Sequence, residues 1–346
     1  MKKIRFIINP ISGVLNKEST INLFREVIDK DKYSWDIVHT QRAGHAVELA
    51  AEAANEQIDI VAAVGGDGTI NEVARSLVHT ATALAILPFG SGNGLARHLQ
   101  IPMETKKALD VINNGTVIPM DYGKINDNPF FCTCGIGFDA FVSLKFAEAG
   151  KRGMLTYLEK TLQESLNYKP ETYELETEDG TKKYKAFLIA CGNASQYGNN
   201  AYITPHATMT DGLLDVTILE PFTVLDVPSL AFQLFNKTIN QNSRIKTFKC
   251  RELLIHRNSS GVVHYDGDPM IMGKDLKIEI IRNGMNVIIP KEEKKDNSNI
   301  LQRASDYFMG IKMFNEAIVE DLTQKNKMII DKNKKIIKKL TKKEED

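Results

Sequence analysis

The chain of 346 residues lacks the features of composition that would assign it to a class at once. Its formal net charge is zero, so composition gives no electrostatic case for a nucleic-acid partner. No run approaches the roughly 18 uninterrupted apolar residues of a transmembrane helix. The first residues reach Pro10 after a very short apolar run, which does not resemble a signal peptide. These absences predict a cytoplasmic protein that does not bind nucleic acid.

Cysteine is also scarce, with four residues in the whole chain. Their spacing fits neither a zinc site nor a disulfide framework. We therefore expect buried free thiols in a reducing compartment. The four residues are Cys132, Cys134, Cys191 and Cys250.

Three glycine-rich loops are present, and each lies after a short apolar run and before a helical pattern. They are Asn9–Gly13, Gly65–Thr69 and Gly90–Gly94. Glycine lets backbone N–H groups close around a polyanion, and a helix that starts behind the loop adds free N–H groups. The second loop is neither a Walker A loop nor a dinucleotide fingerprint, and the third lacks the spacing of a serine nucleophile elbow. Together the loops predict a nucleotide-phosphate site and disfavour a serine hydrolase.

Length and pattern predict two domains. In the first 115 residues, strand and helix signals alternate, which predicts a parallel sheet with helices on both faces. Its strands are expected at Ile4–Asn9, Trp35–His39, Ile58–Val64 and Ala83–Leu87. After about Asp121, strand-like pieces such as Tyr184–Cys191 are separated by turn signals, which predicts a mainly antiparallel second domain. In open α/β sheets ligands bind beyond the carboxyl ends of the strands, where all three loops fall.

A third segment, residues 300–343, has helical periodicity, and residues 332–343 include seven lysines. A basic amphipathic helix can lie on the anionic inner face of a membrane and bring an enzyme to a lipid substrate. The same periodicity suits packing on the body of the protein or pairing as a coiled coil, which would give a homodimer. The sequence leaves these alternatives open.

Acidic turns supply the candidate chemistry. Asp266–Asp268 precedes a proline, so two carboxylates two residues apart can face one side and suit either work on a hydroxyl or Mg²⁺ binding. Asp211–Asp215 leads into a strand, where a metal site and a structural turn are equally supported. Asp67 adds a carboxylate inside the second glycine loop. His264, like the other histidines of the second half, has no ligand spacing.

These motifs resemble, in the same order, those of the bacterial diacylglycerol kinase and sphingosine kinase-like lipid kinases. The resemblance covers roughly residues 1–290. Its six motifs are Asn9-Pro10 with Ser12-Gly13, Gly65–Asn71, Leu87-Pro88 with Gly90–Ala96, Gly137–Ala140, Asp211–Asp215 and Asp266–Asp268. It implies a Rossmann-like nucleotide domain, similar to NAD kinases and phosphofructokinases, over residues 1–123 and joined by strand residues about 280–290. A β-sandwich lipid-substrate domain over 124–279 and the helical basic tail at 300–343 would complete the chain.

The resemblance also implies roles for individual residues. ATP contacts fall on Asn9, Pro10, Ser12, Gly13, Thr40, Gly65, Gly66, Asp67, Gly68, Thr69, Asn71, Ser91 and Asn93. Catalytic carboxylates are implied at Asp266, Asp268 and Asp67. A metal position is implied at Asp211, with carbonyl help from Thr208 and Leu213. Contact with the lipid is implied at Asp139.

The expected function is ATP- and Mg²⁺-dependent transfer of the γ-phosphoryl group to a hydroxyl of diacylglycerol or a sphingoid-type lipid, because phosphoryl transfer needs mainly alignment and charge stabilisation. Two positions depart from the family pattern. Asp268 stands where many relatives have glutamate. The third loop is similar to that of sphingosine and ceramide kinases, which makes it the best sequence clue to the lipid.

Two other functions remain as alternatives from the sequence. One is an NAD kinase-like enzyme, which shares the Gly-Gly-Asp-Gly motif. The other is a non-catalytic, nucleotide-binding regulator at the membrane, in which the tail is the working part.

Overall fold

A computed structural model describes residues 1–12, 17–140 and 168–291. Within these residues the strands form one ten-stranded and one six-stranded sheet. Both sheets belong to one compact unit. Gly13 and the predicted tail at 300–343 lie outside the described residues.

The first half of the chain builds the parallel part of the larger sheet. Its strands are β1 (Lys2–Ile8), β2 (Tyr33–His39), β3 (Ile60–Gly65) and β4 (Ala83–Pro88). They lie in the order β2-β1-β3-β4 and pair in parallel, as the sequence predicted. The helices are α1 (Lys17–Val27), α2 (His45–Asn55), α3 (Asp67–Leu77), α4 (Gly94–His98) and α5 (Thr105–Asn114). β3 and β4 are buried along their whole length, as expected of parallel strands covered on both faces.

The second half is built mainly from antiparallel strands, which confirms the predicted fold class. The strands are β5 (Thr116–Ile125), β6 (Asn128–Phe130), β7 (Thr133–Gly137), β8 (Glu171–Thr177), β9 (Gly180–Ala186), β10 (Leu188–Gly192), β11 (Leu214–Leu219), β12 (Ile245–Cys250), β13 (Glu252–His256), β14 (Gly261–Tyr265), β15 (Asp268–Met272) and β16 (Asp275–Ile289). The helix α6 is Val227–Phe235, flanked by 3₁₀ turns at Val224–Asp226 and Ile239–Gln241. The six-stranded sheet has the order β12-β11-β10-β7-β14-β15 and is antiparallel throughout.

The last strand, β16, has both antiparallel and parallel neighbours. The first part of β16 runs antiparallel to β13, and β5 runs antiparallel to β16 from Ile278 to Ile289, with an irregularity between Ile281 and Met285. Near its end, Asn286 pairs with Ala83 and Val287 with Leu84 in a parallel arrangement with β4. After forming the second half, the chain therefore returns to the parallel strands of the first half.

The prediction of a single strand over Tyr184–Cys191 is wrong. The extended segment is interrupted at Phe187, so that β9 belongs to the larger sheet and β10 to the smaller one. The backbone N–H of Phe187 donates to the carbonyl of Leu219 over 2.7 Å, and its ring packs 4.5 Å from the ring of Phe138. The partners of Phe187 are distant in sequence, and the apolar pattern of Tyr184–Cys191 shows no interruption at Phe187. The interruption of the strand could therefore not be seen in the sequence.

The buried apolar side chains form two clusters, one in the first half of the chain and a second between strands of both sheets. In the first half, Phe6 stacks on Phe24 with ring centroids 4.3 Å apart, and Trp35 meets Phe6 edge-on at 5.9 Å. In the second half, the core includes the buried thiols of Cys134, Cys191 and Cys250. All four cysteines are unpaired, as expected, and three are buried, whereas Cys132 is only half-buried. No helix within the described residues is long and apolar enough to cross a bilayer.

Candidate active site

Four loops begin side by side at the carboxyl edge of the parallel strands. The register pairs Ile8 of β1 with both His39 of β2 and Val64 of β3. It also pairs Gly65 at the end of β3 with Pro88 at the end of β4. The loops after β1, β2, β3 and β4 therefore share one edge, which we call the phosphate edge.

The first loop is attached to the second by Asn9. Its side-chain amide donates to the hydroxyl of Thr69 over 3.0 Å, and its carbonyl oxygen accepts the N–H of Ile11 at 3.1 Å. Thr69 is buried, as is Thr40 at the end of β2. Ser12 lies beside Asn9 and donates its backbone N–H to the carbonyl of Asn9 at 3.2 Å. Polar residues predicted from the first and the second loop are thus brought together.

The second loop is attached to the third by Asp67. Its two carboxylate oxygens accept the backbone N–H groups of Gly94 at 2.7 Å and Asn93 at 2.8 Å. Burial raises the pKa of this carboxyl, while the two N–H groups lower it. The backbones also meet directly, because a Cβ atom on Gly90 would lie 2.6 Å from the Cα of Gly66. Glycine at both positions is what allows the two loops to pack.

The third loop closes on itself through Asn93. The residue is buried and has a left-handed backbone conformation with φ of 51°. Its side chain accepts the N–H of Gly90 at 2.9 Å and donates to the carbonyl of Gly90 at 2.8 Å. Gly92 faces Asp67, and Ser91 is exposed. Gly92 and Asn93 therefore have a structural reason within the loop, independent of any lipid.

The helix α3 starts directly behind the second loop, at Asp67. No side chain of the described residues caps its N-terminus, and Gly68 is exposed with open space around it. The first N–H groups of a helix lack partners within the helix and carry a partial positive charge. This end of α3 is therefore suited to bind the phosphates of a nucleotide.

Asp266 lies in the turn between β14 and β15. Its carboxylate accepts hydrogen bonds from the backbone N–H groups of Phe131, Cys132 and Thr133 at 2.7 to 3.1 Å. A fourth bond comes from the side-chain amide of Asn71 in α3, at 2.8 Å. Two carboxylate oxygens offer about four acceptor positions, so all are used and none remains for a metal ion. Burial nevertheless raises the pKa of Asp266 to about 6.

The second carboxylate of this turn behaves differently. Asp268 is exposed and lies 3.4 Å from the guanidinium of Arg75. Arg75 in turn donates to the side-chain carbonyl of Asn71 at 2.9 Å and stacks 4.8 Å from the centre of the Tyr265 ring. The two predicted catalytic carboxylates thus have different environments, one enclosed and one on the surface.

Asp139 follows β7 and forms a polar cluster with two residues from other elements. Its Oδ2 atom accepts the hydroxyl of Tyr197 at 3.0 Å and lies 3.0 Å from Nε2 of His264. His264 in β14 is 2 % exposed, and the side chain of Asp139 is 10 % exposed. Tyr197 follows β10, and its carbonyl packs on Gly94 of the third loop. The cluster therefore adjoins the phosphate edge.

The predicted metal position beside Asp211 contains a lysine. Nζ of Lys249 lies 2.9 Å from the carboxylate of Asp211 and 3.0 Å from that of Asp215. Thr208 is exposed, and Leu213 donates its N–H to Asp211 at 3.0 Å. Nowhere in the described part of the chain do three or more His, Cys, Asp or Glu groups gather as metal ligands. Because the ammonium of Lys249 occupies the space between the two carboxylates and neutralises one of their two charges, this arrangement does not fit a resident divalent ion.

Parallel strands with glycine loops at their carboxyl edge, joined to an antiparallel second half, define an α/β class of protein whose first half is of the kind that binds nucleotides. Comparison with known proteins narrows this class. The diacylglycerol kinase catalytic domain profile matches residues 3–125. The YegS C-terminal NAD kinase beta sandwich-like domain profile matches residues 133–288. The chain belongs to the family of diacylglycerol kinase-like and YegS-like lipid kinases.

Individual relatives agree with this assignment. A protein of Pectobacterium atrosepticum named "Probable lipid kinase YegS-like" is 30 % identical over 296 residues, which cover 82 % of this chain and 97 % of that protein. A diacylglycerol kinase of Bacillus subtilis is 28 % identical over 301 residues, covering 85 % and 98 %. The crystal structure of a diacylglycerol kinase from Bacillus anthracis has a similar fold, with a TM-score of 0.65, 21 % identity and coverage of 83 % and 97 %.

The contacts of two residues in this region could not be predicted from the sequence. His264 pairs with Asp139 across 125 positions, so no local spacing relates them. Asp121 accepts the N–H of Gly212 at 2.8 Å and that of Asn283 at 2.7 Å, and so fixes the turn before β11. The sequence around Asp121 shows only that it lies where the alternating strand and helix pattern gives way to short strands separated by turns.

Proposed function

We propose that this protein is an ATP-dependent lipid kinase that transfers the γ-phosphoryl group to a lipid hydroxyl. The observation that carries the proposal is the direct bond between α3, behind the second glycine loop, and the turn that contains Asp266. A nucleotide on the phosphate edge and an acceptor at the second half would meet there. Family membership supports the same reaction class.

ATP would lie across the phosphate edge, with its phosphates at the uncapped end of α3. Gly65 to Thr69 would surround them with backbone N–H groups, and Asn9, Pro10, Ser12 and Asn71 would border the site. Ser91 is exposed on the third loop and free to approach a phosphate or ribose. Asn93 and Thr40 are buried and would act by holding the loops in place.

Magnesium would arrive as part of the ATP complex, where it neutralises phosphate charge. The Lys249 ammonium occupies the space between Asp211 and Asp215, so we assign no step of the reaction to a metal bound there. Alignment of the nucleotide and the lipid hydroxyl is the main contribution expected of this chain's residues.

The acceptor would be diacylglycerol or a sphingoid-type lipid, bound beside Asp139. Apolar side chains are exposed on helix α6 and the turn before it: Leu225 at 90 %, Phe232 at 43 % and Phe235 at 44 %. Their helix α6 is attached to the segment behind Tyr197, because Tyr202 donates its N–H to the carbonyl of Leu234 at 2.9 Å. Exposed apolar surface of this kind suits contact with the acyl chains of a lipid.

The proposal is tested by incubating the protein with labelled ATP and diacylglycerol, sphingosine, ceramide or NAD, and reading products by mass. A phosphorylated lipid is the expected result. Phosphorylated NAD would favour the NAD kinase-like alternative. ATP binding without a product from any acceptor would favour the non-catalytic regulator.

The tail is proposed to bring the enzyme to its substrate at the membrane surface. Its seven lysines in residues 332–343 would be attracted to anionic lipids. Co-sedimentation with anionic vesicles should be lost at high salt and on deletion of residues 325–346. Unchanged vesicle binding would favour the two other roles of the tail, packing on the body of the protein or pairing in a homodimer. The molecular mass in solution distinguishes a monomer from a homodimer.

A further inference from the structure

We infer that helix α6 and the basic segment behind it form a surface by which the body of this protein docks on an anionic lipid bilayer. Resting on the proposed lipid kinase function, this surface would bring the active site to a substrate that lies in the bilayer. Three features support it: exposed apolar side chains on α6, a run of basic residues without an acid, and an attachment to the third glycine loop.

Helix α6 has apolar side chains on an exposed face as well as on its buried face. Its sequence, Val227–Phe235, contains no charged residue. Leu230 is buried, whereas Phe232 and Phe235 are exposed and, being three positions apart, share one face of the helix. Leu225, in the turn before the helix, is almost fully exposed. The exposed face of a surface helix usually carries charged or polar residues, so two phenylalanines there indicate an interaction surface.

The chain from α6 onward is basic. Between Val227 and Arg251 it contains five Lys or Arg residues and no Asp or Glu. The five are Lys237, Arg244, Lys246, Lys249 and Arg251. Over the whole chain the two signs are balanced, with 44 residues of each. The local excess of positive charge is complementary to the anionic headgroups of a bilayer, which attract such segments.

The loop that carries Arg244 is bonded to the helix. The side-chain carbonyl of Gln233 in α6 accepts the side-chain amide of Asn242 at 2.7 Å. The side-chain oxygen of Asn242 in turn accepts the backbone N–H of Arg244 at 2.9 Å. At the other end of the loop, Lys237 comes two residues after Phe235. Cations from both ends of this loop are therefore held close to the exposed apolar side chains.

The ion pairs of Arg244 and Lys246 leave both cations able to bind lipid headgroups. The guanidinium of Arg244 lies 3.8 Å from the carboxylate of Asp226, and Nζ of Lys246 lies 4.0 Å from that of Glu220. All four side chains are partly exposed. Because exposed ion pairs contribute little stability, exchanging the carboxylate for a lipid phosphate would cost little.

A short segment attaches this surface to the active site. Tyr202 donates its backbone N–H to the carbonyl of Leu234 in α6 at 2.9 Å. Three positions earlier, Asn199 donates its backbone N–H to the carbonyl of Gly92 in the third glycine loop at 3.1 Å. A bilayer bound at α6 would therefore be four residues of chain away from a loop of the phosphate edge.

An anionic bilayer suits this surface better than a second copy of the chain. Two copies that met through it would bring the basic residues of both against one another, which is unfavourable. At a bilayer, phenylalanine and leucine side chains insert between the acyl chains while neighbouring basic residues stay among the headgroups. Both kinds of residue on this surface would then have a partner.

Contact with the bilayer is tested by quenching of tryptophan fluorescence in the full chain. Phe232→Trp places a reporter on α6, and Val117→Trp places one at an exposed apolar position of β5 as matched control. The one native tryptophan, Trp35, packs against Phe6 and gives a common background. Vesicles of phosphatidylcholine and phosphatidylglycerol with brominated acyl chains should quench Phe232→Trp and leave Val117→Trp at the wild-type level. No additional quenching in Phe232→Trp would overturn the inference.

Affinity for the same vesicles gives a second measurement. Phe232→Glu combined with Phe235→Glu should weaken binding by about tenfold, because it places two negative charges on the inserting face. Val117→Glu is the matched control and should bind like the wild type. Wild-type affinity in the double variant would contradict the inference. Wild-type affinity together with a loss of dimer mass in solution would make α6 an interface between copies instead.

Both measurements are made without nucleotide, so their failure is distinct from failure of the proposed function. If Phe232→Trp is quenched and no lipid is phosphorylated, the docking surface is supported and the kinase reaction fails. If a lipid is phosphorylated and Phe232→Trp is not quenched, the kinase reaction is supported and the docking surface fails.

Discussion

The side-chain amide of Asn71 donates a hydrogen bond to the carboxylate of Asp266 over 2.8 Å, across 195 positions of the chain. The carbonyl of the same amide accepts Nε of Arg75 at 2.9 Å, which fixes its orientation. Asn71 lies one turn into the helix behind the second glycine loop, and Asp266 lies in a hairpin turn of the other sheet. This bond joins the nucleotide-type half to the half proposed to hold the lipid.

Removing this bond should affect activity more than folding. In Asn71→Ala the carboxylate of Asp266 keeps three backbone donors and loses one, which should lower the free energy of unfolding by about 1–3 kcal/mol. We expect kcat/KM to fall by more than tenfold, because the two halves lose alignment. Urea unfolding and steady-state kinetics measure the two effects. Asn114→Ala, an exposed amide bonded only one turn back to Asp110, is the control and should change neither.

Asp67→Asn tests the link between the second and third loops. An amide can accept only one of the two backbone N–H groups that the carboxylate holds, and its NH₂ group opposes the other. We expect the kcat/KM for ATP to fall by about 10–100-fold, which corresponds to about 1.4–2.8 kcal/mol. The exposed turn residue Asp127 offers a matched Asp→Asn control. Wild-type turnover in Asp67→Asn would show that the loops hold together without this carboxylate.

Lys249 should make the fold independent of divalent cations. With nucleotide absent, chelation of divalent ions should leave the melting temperature of the wild type unchanged. Lys249→Met leaves the carboxylates of Asp211 and Asp215 facing each other, and we expect a loss of about 1–2 kcal/mol, between the values for exposed and buried pairs. Added Mg²⁺ should restore part of it. Lys246→Met removes an exposed lysine of the same strand as control. A wild type that melts lower after chelation would contradict this account.

His98 should make the stability depend on pH. Its Nδ1 accepts the backbone N–H of Ser195 at 3.1 Å, and burial lowers the pKa of the ring to about 4. The unfolded chain has the ordinary histidine value near 6.5 and therefore binds the proton first as the pH falls. The stabilisation is complete above pH 6.5 and is lost as the pH falls from about 6.5 to 4, by at most about 3 kcal/mol.

Urea unfolding between pH 4 and 8 measures this slope. His98→Gln keeps an acceptor for Ser195 without a titrating ring, so its stability should vary less across the same window. An identical slope in both proteins would assign the pH dependence to other groups.

Much of the first half could be predicted because its signals are local. Four apolar runs each end in a loop, and the parallel pairing follows from their alternation with helices. The second half was harder, because its strands are short and exchange between two sheets. The break at Phe187 depends on the carbonyl of Leu219, 32 residues away, and no pattern within Tyr184–Cys191 records it.

The residues of the candidate site also differ in how well the sequence predicted them. Residues within one motif, such as Gly65 and Asp67, could be assigned from spacing, whereas partners from distant elements could not. The contact between His264 and Asp139 depends on the antiparallel pairing of β14 with β7, which places His264 opposite Gly135. Asn93 differs from both. The sequence predicted that it contacts ATP, and in the structure its side chain is bonded to the backbone of Gly90 in its own loop.

The central claim is phosphoryl transfer from ATP to a lipid hydroxyl, and the most direct measurement is a mass spectrum of the products. Purified full-length protein would be incubated with γ-¹⁸O-labelled ATP, magnesium and mixed micelles of diacylglycerol, sphingosine and ceramide, with NAD as a parallel acceptor. The account predicts one lipid class carrying the labelled phosphoryl group, with no labelled NAD phosphate. Labelled NAD phosphate, or ATP bound with every lipid unmodified, would contradict it.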